Sequence, residues 1–128
     1  MYKRGETKQL SEYFSSNMFD CACNYPDCLK TLISEELVDG LQNLITRFPI
    51  IHISSGYRCD KHNTDVGGKL GSFHKKGMAA DIISPFGTPE EVSTEAQKIE
   101  CFNNGGIGKY STFVHLDVRG QKSRWFGK

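Results

Sequence analysis

"GSFHKKGMAADI", Gly71 to Ile82, sets a histidine and an aspartate seven positions apart, with Gly77, Ala79 and Ala80 between them. The stretch leaves a glycine-bearing loop and enters "AADIIS" (Ala79–Ser84), whose small and β-branched residues predict a strand. Glycine and alanine add no bulk at this corner. The connection can therefore fold tightly enough for His74, in the loop, and Asp81, in the strand, to converge. The fold depends on which strands surround that corner.

Upstream, "IIHIS" (Ile50–Ser54) reads as a short buried strand, and "SGYR" (Ser55–Arg58) turns the chain out of it. "CDKHNTDVGGKLGS" (Cys59–Ser72) carries Asn63, Gly67, Gly68 and Gly71 and reads as a loop. Further back, Leu37, Val38, Leu41, Leu44 and Ile45 fall on one face at three- and four-residue spacing. This predicts a helix that starts at Ser34 with Glu35 and Glu36 and is abandoned by Pro49. Downstream, Thr88, Pro89 and Glu91 match a capping box that opens a helix through Ala96 and Ile99. Two final strands, "GIGKY" (Gly106–Tyr110) and "FVHLDV" (Phe113–Val118), meet in a turn near Ser111. Residues 1–30 read as an irregular, cysteine-bearing segment. The expected fold is α+β: helices flanking a small antiparallel sheet, in a single domain spanning residues 1–128.

Bulk properties narrow the function. Lys plus Arg total 16 against 15 Asp plus Glu, a formal charge of +1, so no field argues for nucleic acid or a membrane surface as partner. No apolar run approaches the roughly 20 residues that span a bilayer. The start, "MYKRGETKQLSEYF", lacks the apolar stretch of a secretory signal, so synthesis in the cytoplasm is expected. Five cysteines, an odd number, read as thiols or metal ligands before disulfides.

His74, Asp81 and His115 form a possible zinc set: two imidazoles and a carboxylate give three protein ligands and leave a fourth position for water or substrate. Alone, the His74–Asp81 pair is more often a capped, solvated or satisfied couple. His115 strengthens it, because in "FVHLDV" His115 and Asp117 share one strand face with Phe113, opposite Val114, Leu116 and Val118. The plain alternative is a solvent-facing strand with a surface histidine and aspartate. Cys21, Cys23, Cys28 and Cys59 could in principle form a closed all-thiolate zinc site, although the Cys-x-Cys-x4-Cys spacing is not a standard knuckle. Reduced, partly buried thiols are the preferred reading of these four. His52 and His62 read as a satisfied histidine and a surface histidine.

"SGYR", Asn63, "VGG" (Val66–Gly68), "SFHKKGMAAD" (Ser72–Asp81), "FVHLDVR" (Phe113–Arg119) and a final "RW" (Arg124, Trp125) together resemble the D-alanyl-D-alanine carboxypeptidase family of zinc peptidases, within the LAS metallopeptidases. The motifs occur in the family's order and reach from Ile50 to Trp125. The resemblance implies a zinc peptidase with His74, Asp81 and His115 as ligands. It implies a substrate-facing, catalytic Arg58, with Ser72 also placed at the substrate. The substrate would be an amide bond in the stem peptide or cross-bridge of peptidoglycan, met at the cell wall after lysis or from a virion. Many relatives carry Glu or Asp three residues before the last histidine, where this chain has Thr112. Asp117 is accordingly the candidate base, or the partner that orients a ligand histidine. Thr112 also keeps open a module that retains the metal without catalysis.

Overall fold

A computed structural model of the protein describes residues 1–128. The N-terminal segment contains little regular structure: β1 (Tyr2–Lys3) pairs antiparallel with β2 (Lys30–Thr31), and a 3-10 turn covers Ser16–Phe19. Helix α1 (Glu35–Ile45) begins as expected, with the Ser34 hydroxyl accepting from the Leu37 N–H at 3.4 Å. Its apolar face places Leu37, Val38, Leu41 and Leu44 in the main core with Phe14, Phe19, Phe48 and Phe102.

The strand predicted over "IIHIS" is β3 (His52–Ser55), and it is not a buried one: His52 and Ser54 are exposed. It lies at one edge of the main sheet, so only one face meets the core. Helix α2 (Asp60–Asp65) occupies part of the predicted loop. Among its residues only Asn63 is buried, and a helix without an apolar stripe leaves no periodic signal. Strand β4 (Ala79–Ile83) follows as predicted, buried over Ala79–Ile82.

Helix α3 (Pro89–Ala96) opens on the expected capping box, with Thr88 and Glu91 satisfying each other's backbone N–H groups. It stops short of Ile99, which is extended and precedes a separate turn, α4 (Glu100–Asn103). Ala96 and Phe102 are both fully buried. Six residues of continuous helix would rotate them about 120° apart, so the break lets both reach the same core.

β5 (Gly106–Lys109), β6 (Val114–Asp117) and β7 (Ser123–Phe126) complete a five-stranded sheet in the order β3-β4-β6-β5-β7. The first four strands pair antiparallel, as expected; β7, absent from the sequence reading, adds parallel to β5. Its "SRWF" has no apolar alternation to announce it. Arg124 ties it down by donating to the carbonyls of Gly105 (2.9 Å) and Asn103 (3.1 Å). The architecture is α+β, and no helix is long and apolar enough to cross a membrane.

Candidate metal centre

Strand register brings the first two groups together. Asp81 of β4 and His115 of β6 are direct partners across the sheet, so their side chains emerge side by side on one face. The third comes from the 3-10 turn Phe73–Lys76, capped by the Ser72 hydroxyl, which accepts from the His74 N–H at 3.2 Å. Gly77 ends that turn at φ +71°, a left-handed conformation that costs glycine nothing. The chain then drops directly into β4.

One donor atom from each of His74, Asp81 and His115 lies within 4.8 Å of the others. Asp81 Oδ1 sits 3.3 Å from His74 Nε2 and 3.0 Å from His115 Nδ1. The outer ring nitrogens settle the tautomers. His74 Nδ1 is 2.8 Å from the Gly56 carbonyl, which can only accept, so Nδ1 carries the proton and Nε2 turns a lone pair inward. His115 Nε2 donates to Asp117 Oδ2 at 2.7 Å, leaving the Nδ1 lone pair inward. Two imidazole lone pairs and one carboxylate oxygen converging in this way fit a divalent cation with nitrogen–oxygen preference.

The electrostatics agree. Burial alone would raise the Asp81 carboxyl, but the His115 and His74 rings set against it outweigh burial, holding Asp81 well below the usual carboxylate range whenever positive charge lies between them. Burial would lower the His115 imidazole; the Asp117 and Asp81 carboxylates on its two sides raise it instead. The pocket thus favours positive charge between these groups.

Asp117 is fully buried behind His115. Besides His115, its carboxylate accepts from Gly106 N (2.8 Å), Arg119 N (3.2 Å), Arg119 Nε (2.9 Å) and Arg119 Nη2 (2.7 Å). Desolvation opposes ionisation, yet these donors hold the carboxyl well below its ordinary value. Arg119 is itself stacked between the rings of Phe73 (4.6 Å) and Trp125 (5.2 Å).

The three groups sit in a cleft of about 700 Å³ whose lining includes Arg58, Lys69, Ser72, Tyr110, Phe113 and Trp125. Arg58 is fixed from three sides: Nε to Ser55 Oγ (3.2 Å), Nη1 to Asn63 Oδ1 (3.3 Å) and Nη2 to Asp81 Oδ2 (3.5 Å). A bulge in β3 between Ile53 and Ser55 sets Ser55 opposite Asp81 and aims this anchor. On the far wall, Trp125 lies 5.0 Å from the His115 ring and donates to Tyr110 Oη at 3.0 Å. Gly108 makes room for it, since a Cβ there would stand 2.4 Å from the indole.

Among the candidates from sequence, His74, Asp81, His115, Arg58 and Ser72 all line this cleft, and Asp117 backs it. His52 is exposed on β3 and His62 is part-exposed on α2; neither lines the cleft. Thr112 is exposed ahead of β6. The aromatic wall and the Arg119 clamp carried no role in the sequence reading, although "FVHLDVR" and "RW" contain Arg119 and Trp125.

The model of the family described as Peptidase M15 matches residues 12–117. A search of curated proteins returns no match. The matched span holds every group that converges on the centre and most of the cleft; of the cleft's lining it leaves out Arg119 and the strand that brings Ser123 and Trp125. The chain belongs to the Peptidase M15 family, the D-alanyl-D-alanine carboxypeptidase-like metallopeptidases.

Proposed function

We propose that the chain is a zinc-dependent peptidase that hydrolyses an amide bond in the stem peptide or cross-bridge of peptidoglycan, as a carboxypeptidase or an endopeptidase. The observation that carries this reading is the convergence of His74 Nε2, His115 Nδ1 and Asp81 Oδ1 beside Arg58 in one cleft. Zinc bound by those three groups would supply a Lewis acid and an acidified water.

The chain's own residues do the rest. Arg58 presents a fixed, always charged fork to a peptide carboxylate or to the developing charge on the scissile carbonyl oxygen. Arg58 and Lys69 make the rim cationic, which suits a substrate ending in carboxylate, while Tyr110, Phe113 and Trp125 offer an apolar wall to small side chains. Asp117 holds the His115 tautomer and takes no part at the reacting atoms. Lysine cannot reproduce the fork, so Arg58→Lys is expected to lower kcat/KM by about 100-fold with metal content unchanged. Steady-state hydrolysis with parallel metal analysis checks this.

A second reading has its own support. Apart from Asp81, no carboxylate lines the cleft, and Thr112 stands where relatives carry an acid. This favours a module that holds metal and wall peptide without turnover. Zymography on purified cell walls separates the two: clearing that disappears with chelator and returns with zinc supports the enzyme. Binding without clearing supports the module, and neither binding nor clearing ends both. Mass spectrometry of the released muropeptides then names the bond through its new termini.

A further inference from the structure

The sulfurs of Cys21, Cys23, Cys28 and Cys59 gather in a small cluster with Tyr57, separate from the main core. The four Sγ atoms lie within 4.8 Å of one another. Cys59 Sγ is 3.8 Å from both Cys21 Sγ and Cys23 Sγ. A disulfide would bring a pair to about 2.0 Å, so none of these contacts is a bond. Four sulfurs about 2.3 Å from a central zinc form a tetrahedron with edges of about 3.8 Å, the separation of Cys59 Sγ from Cys21 Sγ and Cys23 Sγ. We propose that these four cysteines bind a second, structural zinc ion.

The surroundings suit an anionic thiolate cluster. Arg4 donates to Cys23 Sγ (3.3 Å) and to the carbonyls of Cys28 (3.1 Å), Cys21 (3.0 Å) and Cys23. The Cys59 N–H points at Cys21 Sγ at 3.4 Å. Four thiolates around one zinc carry a net charge of about −2, which the part-buried Arg4 guanidinium and N–H···S bonds offset. With all four positions taken by protein, no place remains for water, so the ion's role is structural.

The site also has mechanical work to do. The N-terminal segment contributes two-residue strands and a single 3-10 turn, and past the core anchors Phe14 and Phe19 little regular structure holds its Cys21–Cys28 stretch. Three of the cysteines come from that segment, and the fourth follows Arg58 directly. The same junction carries the Tyr57 N–H to Phe19 carbonyl bond (2.8 Å) and the Gly56 carbonyl that orients His74. A zinc there clamps the segment onto the turn that supplies both Arg58 and the His74 hydrogen bond.

Metal counting tests this apart from the peptidase reading. Protein purified under reducing conditions is expected to hold about two zinc ions per chain, and His74→Ala about one. Cobalt(II) in the His74→Ala protein should show intense sulfur-to-metal charge-transfer absorption, and Cys28→Ser should lose that absorption. Should Cys28→Ser fail to fold, X-ray absorption at the zinc edge of folded His74→Ala keeps the question open to refutation: an all-sulfur shell is expected. A folded His74→Ala protein without zinc, four thiols that react freely in the native protein, or disulfides among them would overturn the proposal. An unmutated protein that holds a single zinc in an all-sulfur shell would count against the peptidase centre and leave the cysteine site standing.

Discussion

Asp117→Asn is expected to weaken metal binding about 10- to 100-fold and to destabilise the fold by about 3–5 kcal/mol. The carboxylate serves five donors, from His115, Gly106 and three Arg119 groups, in a fully buried position. An asparagine offers one oxygen and turns an NH2 toward the remaining donors. Arg119 then keeps its charge without a buried counter-ion. If the amide NH2 faces His115, Nε2 must accept, and the ring proton moves to Nδ1, the atom that points at Asp81. Competition with a chromogenic chelator measures the affinity, and urea unfolding measures the stability. A base at the reacting atoms would behave differently, lowering kcat while leaving affinity unchanged; that outcome would restore the catalytic assignment of Asp117.

Gly77→Ala is expected to cost about 2–5 kcal/mol. The left-handed conformation at φ +71° contributes about 1–2 kcal/mol for a residue with a Cβ. Overpacking adds about 1–3 kcal/mol, because that Cβ would stand 2.3 Å from the carbonyl carbon and oxygen of Leu32 and 2.8 Å from Ile33 N. These neighbours are backbone and cannot swing aside. The Ser34 N–H also donates to the Gly77 carbonyl at 2.8 Å, so a shift disturbs the start of α1 as well as the His74 turn. Equilibrium unfolding reads the loss. A variant within about 0.5 kcal/mol of the parent would mean that the turn relaxes freely.

Both residues show what a sequence can reveal. The corner from Ser72 to Asp81 was legible because turn, glycine, small residues and strand fall in one continuous stretch, each dictated by local sterics. The helix at Glu35–Ile45 was legible from its stripe, and the capping box from three residues. The pairing of β7 with β5 is a non-local parallel contact, and neither strand's pattern encodes its neighbour. The same distance hid the aromatic wall: Trp125 reaches His115 only because Gly108 stands between them in the sheet. The burial of Asp117 follows from Arg119 and Gly106 closing over it, and alternation along β6 could place its face but not its cover.

Asp81 and His115 stand directly opposite each other on adjacent central strands. Side chains alternate with period two, so sliding β6 past β4 by one residue would send His115 to the opposite side of the sheet from Asp81. The slipped molecule would bury polar groups and separate the converging donors at the same moment. An ion held by these groups would therefore stabilise the correctly aligned strands alone, since a slipped register offers it no complete set of ligands.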